Sequence, residues 1–248
     1  MGDEMDKKDD GKNWVYDLVN WAWDAVVNAE SRSVPDAIGT VGKMAYALVP
    51  GVSAEALARE YMKPGVSPDQ AIDNLINWQC AHSGAVGVAA GIPGLALAGI
   101  AIPAELAVVT YIQMRMIAAI GIIRGADLNT DQARTLAFIS LLGTSAMVNM
   151  GALGAQIGMK LGGRAVAALP GHVLIAINKA VGFRLIVKFG HKGMIRVANV
   201  IPLIGGLVSG GLNAYTTYHV GRAASHWFKQ AQLSGPHTVD GEAEEVGS

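Results

Sequence analysis

Cysteine and charge are both scarce in this chain, and each scarcity excludes a class of protein. Cys80 is the only cysteine, so a disulfide-stabilised fold is excluded and a reducing compartment is expected. Charged residues make up 16% of the 248 residues, whereas average soluble domains carry about 25%. Because disordered chains have many charges and few apolar residues, disorder is excluded for the bulk of the sequence.

Acidic residues are absent from the whole stretch 132–239, which carries ten Lys or Arg residues. Residues 1–82 have the opposite balance, so the net charge of −1 conceals a strong asymmetry. An apolar segment with only positive charge suits an anionic surface. Aromatic residues, at 6%, are too few to provide the stacking surfaces of a nucleic-acid site. We therefore expect an anionic phospholipid membrane as partner, and no nucleic acid.

Signals for β-strands are missing as well, since polar and apolar residues do not alternate over any sustained run. We predict an all-α fold: a glycine-rich multi-helix bundle with an apolar helical hairpin and flexible polar termini. The predicted regions are a disordered leader at 1–12, an N-terminal helical region at 13–66, a helical domain at 67–232 and a disordered acidic tail at 233–248.

The apolar hairpin is predicted from a run of 22 residues, 83–104, that contains no charge. A helix that begins at Pro68 is expected to end near His82, and Pro93 divides the following apolar run into two pieces. The hairpin is expected either to be buried in the protein or to dip into a membrane, and a membrane-spanning helix is the alternative.

A second helix is predicted to begin at Pro103 and to end at Ile123, with Gly125 as its C-cap. Glu105 would then lie in the first turn, where a carboxylate interacts favourably with the positive end of the helix dipole.

Three of the five tryptophans lie within ten residues, at Trp14, Trp21 and Trp23. They flank the apolar face of a predicted amphipathic helix, 14–29, whose polar face includes acidic residues. Tryptophan rings at the margins of an apolar face are typical of helices at the membrane interface. The alternative is that this helix packs on the body of the protein, which the acidic polar face favours.

Four basic residues follow one another at fourfold spacing, namely Arg184, Lys188, Lys192 and Arg196. On a continuous helix they would form one ridge, which favours contact with anionic lipid. A solvated helix face is the alternative. The last long helix, predicted to begin at Pro202, has a further basic face that is either solvated or directed toward headgroups. Its members are His219, Arg222, His226 and Lys229.

Motifs for catalysis, cofactors or metals are not recognised. Cys80 and His82 are two residues apart and do not face each other on a helix, so we interpret Cys80 as a buried structural thiol. The histidines have neither the HExxH arrangement nor partner carboxylates, and phosphate-binding glycine loops are missing. We predict no catalytic residue, no metal and no cofactor.

Residues 70–229 resemble the EcsC family. The similarity rests on Ile102-Pro103-Ala104-Glu105, on Arg124-Gly125-Ala126-Asp127, and on a C-terminal series with Gly210-Gly211-x-Asn213, Thr216-Thr217 and Val220-Gly221-Arg222. This resemblance implies a bacterial, helical, membrane-linked protein with no agreed activity. Because the family is named after genes beside an ABC exporter, it also implies an ABC transporter or another membrane protein as a possible partner.

The shared positions are predicted to be structural: Pro103, Gly125, Asn213, Thr217 and Gly221. Asn213 and Thr217 lie four residues apart and thus on one helix face, with no His or carboxylate one turn away on that face. Glycines at 206, 210, 211 and 221 would let a second helix approach.

The sequence thus predicts a non-catalytic, peripheral or monotopic membrane protein at the cytoplasmic side of a bacterial membrane, accessory or scaffolding in role. Three alternatives stay open: a lipid-handling protein whose hairpin opens for an acyl chain, a membrane-inserting effector or toxin, and an enzyme with unrecognised residues.

Overall fold

The computed structural model describes residues 20, 22–24, 27, 53–91, 98–141 and 202–232. In these residues all regular secondary structure is helical, which confirms the predicted all-α fold. The predicted leader, acidic tail and basic ridge lie outside the described residues. The structure describes five helices: α1 Ala54–Tyr61, α2 Pro68–Gly91, α3 Ala98–Ile123, α4 Asp131–Leu141 and α5 Pro202–Gln232.

Serine side chains cap the first two helices. The Oγ of Ser53 accepts a hydrogen bond from the backbone N–H of Ala56 at 3.2 Å, at the start of α1. The Oγ of Ser67 accepts a hydrogen bond from the backbone N–H of Gln70 at 3.3 Å, at the start of α2. In both cases a serine satisfies an N–H group that has no partner within the helix.

Helix α2 is longer than predicted: it continues past His82 to Gly91. The expected end was wrong because Gly84 and Gly87, which weaken an isolated helix, lie here against the backbone of α5. Tertiary packing supports the helix where local propensity does not.

Helix α3 begins at Ala98 and passes through Pro103, so the predicted start at Pro103 was wrong. A proline removes one backbone N–H donor, and near the amino-terminal end of a helix this removes a single hydrogen bond.

The carboxyl end of α3 is closed by Gly125, the predicted C-cap. Gly125 has φ +77°, the left-handed conformation that glycine adopts without a Cβ clash. The N–H of Gly125 donates to the carbonyl of Ile122 at 2.8 Å, and the N–H of Ala126 donates to the carbonyl of Gly121 at 2.9 Å. These two bonds form a Schellman motif.

Helix α4 is almost entirely buried, including two hydroxyl side chains. Thr135 Oγ1 donates to the carbonyl of Asp131 at 2.7 Å, and Ser140 Oγ donates to that of Leu136 at 2.6 Å. Because each hydroxyl bonds within its own helix, α4 can be buried without unsatisfied side-chain donors.

Helices α2, α3 and α5 form the centre of the described part of the fold. Asp69 of α2 contacts Lys229 of α5 and Ser83 contacts Asn213, so α2 and α5 are antiparallel. Glu105 of α3 contacts Ser209 near the start of α5, and further contacts follow in the same direction, so α3 and α5 are parallel. α1 packs on α3, and α4 packs on α3 and α5.

One hydrophobic core joins these helices. Its largest fully buried side chains include Ile72 of α2, Met116 of α3, Phe138 of α4 and Phe228 of α5. Leu57 of α1 belongs to the same core, so side chains from both sides of the expected boundary at residues 66 and 67 pack together.

Candidate functional site

The bundle of α2, α3 and α5 has a charged end, where its ion pairs are gathered. Arg124, at the end of α3, pairs with Asp69 in the first turn of α2. Lys229 of α5 binds the same carboxylate at 3.1 Å. One turn further along α2, Asp73 pairs with Arg222 of α5 at 2.7 Å.

Asp69 is the centre of this group. Hydrogen bonds from Arg124 and from Lys229 lower the pKa of the Asp69 carboxyl below its usual range. The Arg124 side chain is only 6% exposed, whereas that of Asp69 is 61% exposed. The pair therefore lies at the edge of the core, and water surrounds much of the carboxylate.

These pairs change the interpretation of the predicted basic face on α5. Arg222 and Lys229 are exposed but bound to aspartates of α2. Both side chains are about half exposed, as expected for a solvated face, and each is in addition paired across the interface between α2 and α5. The sequence could not show this because the partners are 149 and 160 residues away.

Arg115, in the middle of α3, is a buried cation that the sequence did not single out. Its guanidinium lies 6.0 Å from the centroid of the Tyr111 ring. Burial lowers the pKa of Arg115, and the nearby Tyr111 and Glu60 oppose that shift. Because Glu60 belongs to α1, this charge helps to attach α1 to the charged half of the bundle.

The opposite end of the bundle is apolar. It consists of 83–91 of α2, 98–114 of α3 and 202–218 of α5, and Glu105 is the only Asp, Glu, Lys or Arg in these segments. Glu105 is the eighth residue of α3, so the predicted position in the first turn was wrong.

Glu105 instead joins α3 to α5. Its Oε1 accepts hydrogen bonds from the Ser209 hydroxyl and from the Asn213 amide, the latter at 2.6 Å. No carboxylate of α5 itself lies one turn from Asn213, as the sequence indicates. In the structure, the carboxylate of Glu105 reaches Asn213 from α3. Two donors on one oxygen satisfy a carboxylate in an otherwise apolar region.

This cluster does not have the geometry of a nucleophilic site. A serine nucleophile needs a base strong enough to take its proton, which in most such sites is a histidine. The base available to Ser209 is a carboxylate, and the oxygen that Ser209 contacts also accepts a hydrogen bond from Asn213.

A second polar contact lies further along the same interface. Gln113 Nε2 of α3 donates to Thr217 Oγ1 of α5 at 3.1 Å, and both side chains are buried. On the α2 side, Ser83 Oγ donates to the carbonyl of Asn213 at 3.3 Å. Asn213 and Thr217 therefore lie at contacts between helices.

One buried acceptor remains unsatisfied on α2. The Oε1 atom of Gln79 has no hydrogen-bond partner in the described residues, and Gln79 is almost completely buried. A buried polar atom without a partner costs free energy, so this position of α2 is destabilising.

Replacing Asn213 by alanine should lower the free energy of unfolding by about 1–3 kcal/mol, since Glu105 loses a donor in an apolar surrounding. The measurement is chemical denaturation followed by circular dichroism. Thr216→Ala is the matched control, because Thr216 bonds only to the carbonyl of Asn213 in its own helix. A structural role for Asn213 is contradicted if Asn213→Ala unfolds like the wild type yet loses function in cells.

Glycines let α2 and α5 approach closely at the apolar end. A Cβ on Gly87 would lie 2.6 Å from the backbone nitrogen of Gly210, and one on Gly210 would lie 2.7 Å from the carbonyl oxygen of Gly84. Gly221 lies against Ile76, where a Cβ would come within 2.7 Å of a side-chain carbon. Gly211 differs, since no atom of the described residues lies within 4 Å of its Cβ position, so its expected role in close approach was wrong.

Large apolar side chains are exposed at the apolar end. They are Val88 of α2, which borders Gly210, and Val208 and Leu212 of α5. Three aromatic residues follow at the next level: Trp78, Tyr215 and Tyr218, with exposed fractions of 53%, 63% and 44%. Such a group is unusual on a surface that faces only water.

The predicted tryptophan contacts must be revised at one position. Trp23 is 3% exposed and belongs to the core, so its expected contact with a membrane was wrong. The reason is charge: Arg134 of α4 lies 3.7 Å from Asp24 and donates to Asn20 at 2.7 Å. The polar face of this segment therefore docks on the protein.

The other predicted lipid contacts lie outside the described residues. They are Trp14, Trp21, Arg184, Lys188, Lys192 and Arg196. Contact of these residues with lipid stays a prediction.

Cys80 and the histidines show no catalytic or metal arrangement within the described segments. Burial raises the pKa of the Cys80 thiol to about 11, which keeps it protonated near neutral pH. The ring of His82 lies 5.0 Å from that of Trp78. Among the described residues no three His, Cys, Asp or Glu side chains gather as a metal site would require.

None of the helices in the described residues is both long and apolar enough to span a membrane. No protein-family model matches the chain, and no curated protein or solved structure does so either.

Proposed function

We propose that the protein associates with a membrane as a peripheral or monotopic, non-catalytic component. The observation that carries this proposal is the apolar end of the bundle, where Val88, Val208 and Leu212 are exposed and charged residues other than Glu105 are missing. Transfer of apolar surface from water into lipid is favourable by about 25 cal/mol per Å². Several side chains on one rigid end can therefore provide a binding surface.

Two features of the sequence support the same proposal. The acid-free stretch 132–239 adds positive charge, which attracts anionic headgroups. The resemblance of residues 70–229 to the EcsC family implies a membrane-linked bacterial protein. We accordingly place the protein at the cytoplasmic side of a bacterial membrane, in an accessory or scaffolding role, with an ABC transporter or another membrane protein as a further proposed partner.

Vesicle co-sedimentation tests the proposal. We expect the protein to sediment with vesicles of phosphatidylcholine and phosphatidylglycerol, and more weakly with phosphatidylcholine alone. Raising the salt should remove only the charge-dependent part, since exposed charges are screened beyond about 10 Å at 0.1 M salt. Absence of binding to both vesicle types would refute membrane association.

Two sets of variants separate charge from apolar contact. Replacing Lys188, Lys192 and Arg196 by Glu should reduce the salt-sensitive part. Leu212→Glu should reduce the salt-resistant part, and Asn74→Glu is its matched control, because it adds the same charge at an exposed position of the charged end. Equal effects of Leu212→Glu and Asn74→Glu would show that the apolar end is not the binding surface.

A further inference from the structure

We infer that the bundle of α2, α3 and α5 enters the membrane end-on, with Trp78, Tyr215 and Tyr218 at the level of the headgroups. The inference rests on the proposed membrane association and adds the orientation and depth of the bound protein. The partner of the protein is a fluid phospholipid bilayer. The surface that enters it is the apolar end together with Trp78, Tyr215 and Tyr218, and we call these three residues the aromatic level.

The aromatic level follows from the register of α2 and α5. Ser83 lies beside Asn213, and Ile76 lies beside Gly221. Because the helices are antiparallel, Trp78 of α2 comes level with about Tyr218 of α5. Tyr215 is three residues further toward the apolar end, which is about 4.5 Å along the helix axis.

Trp and Tyr are the side chains that prefer the boundary between lipid and water. Each has a large apolar ring and one polar group that can remain hydrated. Trp78, Tyr215 and Tyr218 are all exposed, and they are contributed by two different helices. Their common level is the arrangement expected where a bundle crosses the headgroup layer.

The charges on either side of the aromatic level complement a bilayer. On one side, the exposed residues Val88, Val208 and Leu212 are apolar, and Oε1 of Glu105 is bonded within the protein. On the other side, the described ion pairs begin with Asp73 and Arg222. An end whose single carboxylate is hydrogen-bonded within the protein thus matches the acyl layer, and an end with several charges matches the hydrated surface.

The depth of this end follows from the length of α5 below the aromatic residues. From Val208 to Tyr215 the helix rises about 10 Å, and from Pro202, where α5 begins, to Tyr215 it rises about 20 Å. One leaflet has about 15 Å of hydrocarbon, so Val208 to Tyr215 fits within one leaflet and the first turn of α5 reaches the middle of the bilayer. This end therefore enters more deeply than an interfacial helix, which is buried about 5–10 Å.

An alternative orientation would place α5 flat on the membrane. Val208, Leu212, Tyr215 and His226 lie along one side of α5 at spacings that keep them on the same face. A flat helix would also bring Arg222 and its ion pair with Asp73 toward the acyl layer, which is costly. It would leave the exposed Val88 of α2 without lipid contact, so the end-on orientation is favoured.

Spin labels on single cysteines distinguish these orientations in the full-length protein. In a Cys80→Ser background, cysteine replaces Val208, Leu212, Tyr215 or His226, all of which are exposed. Each labelled protein is bound to phosphatidylcholine–phosphatidylglycerol vesicles, and its accessibility to oxygen and to a water-soluble nickel chelate is measured. Circular dichroism confirms that each labelled variant is folded.

We expect oxygen accessibility to be highest at 208 and 212, intermediate at 215, and lowest at 226, where the nickel chelate should dominate. A label at 226 that lies as deep as the label at 208 would overturn the end-on orientation in favour of a flat helix. Bound protein in which all four labels remain aqueous would overturn insertion of this end. Dipolar broadening at 208 without higher oxygen accessibility would show self-association instead.

Trp78 provides a second measurement that needs no label. Phosphatidylcholine brominated near the headgroup should quench part of the tryptophan emission of the bound protein. In a background in which Trp14 and Trp21 are replaced by Phe, Trp78→Phe should remove about half or more of that quenching, since the buried Trp23 and Trp227 are shielded. Unchanged quenching in bound Trp78→Phe would overturn the aromatic level. Absence of sedimentation of the wild-type protein with either vesicle type is a separate result that refutes the proposed function itself.

Discussion

Replacing Gly87 by alanine should lower the free energy of unfolding by about 3 kcal/mol, which is at the upper end of the usual cost of overpacking. The new Cβ would lie 2.6 Å from the backbone nitrogen of Gly210 and 2.7 Å from the Asn213 amide nitrogen. Backbone atoms cannot move aside as a flexible side chain can, so α2 and α5 must separate. Urea denaturation followed by circular dichroism measures the change.

Gly211→Ala is the matched control for this prediction. It is also a helical glycine at the apolar end, but no atom of the described residues lies within 4 Å of its Cβ position. Alanine favours the helix over glycine by about 1 kcal/mol, so Gly211→Ala should unfold at equal or higher urea concentration. If Gly87→Ala proved as stable as Gly211→Ala, the close contact of the two helices would be wrong.

Phe228→Ala should cost about 3–5 kcal/mol, the usual range for a phenylalanine removed from a core. Phe228 is among the largest fully buried side chains, and its ring lies against Gly121, where α3 meets α5. Removing the ring leaves a cavity at the charged end of the bundle. Urea denaturation measures the loss, and a midpoint like that of wild type would contradict the described packing.

Tyr215→Ala on the same helix serves as the control for Phe228→Ala. Tyr215 is mostly exposed, so this change should alter the stability by no more than about 0.5 kcal/mol. Under the proposed orientation it should nevertheless weaken vesicle binding. The two variants together separate side chains that hold the bundle from side chains that contact the bilayer.

Local signals explain which parts of the fold could be predicted. The serine before α2 and the cap at Gly125 each depend on residues a few positions apart. The same kind of reasoning failed at His82 and at Pro103, where the helices continue. After His82 the cost of Gly84 and Gly87, about 1 kcal/mol each, is overridden by packing against α5. At Pro103, near the start of α3, the helix loses only one hydrogen bond.

Partners that are distant in sequence explain what could not be predicted. Glu105 was placed on a helix dipole, but its donors lie 104 and 108 residues away on α5. Trp23 was assigned to a membrane, but Arg134, over 100 residues away, draws its segment onto the protein. The periodicity of apolar residues shows which face of a helix is apolar. It does not show whether another helix or a membrane covers that face.

The antiparallel pairing of α2 and α5 has a consequence during synthesis of the chain on the ribosome. Ser83 and Asn213, which meet in the folded protein, are 130 residues apart. At about 5–20 residues per second, α2 must wait roughly 6–26 s for its partner. During that interval its glycine-rich, uncharged half lacks the surface that later covers it. A nascent chain in this state is a substrate for chaperones, and a bilayer close to the ribosome would offer the same segment an apolar surface.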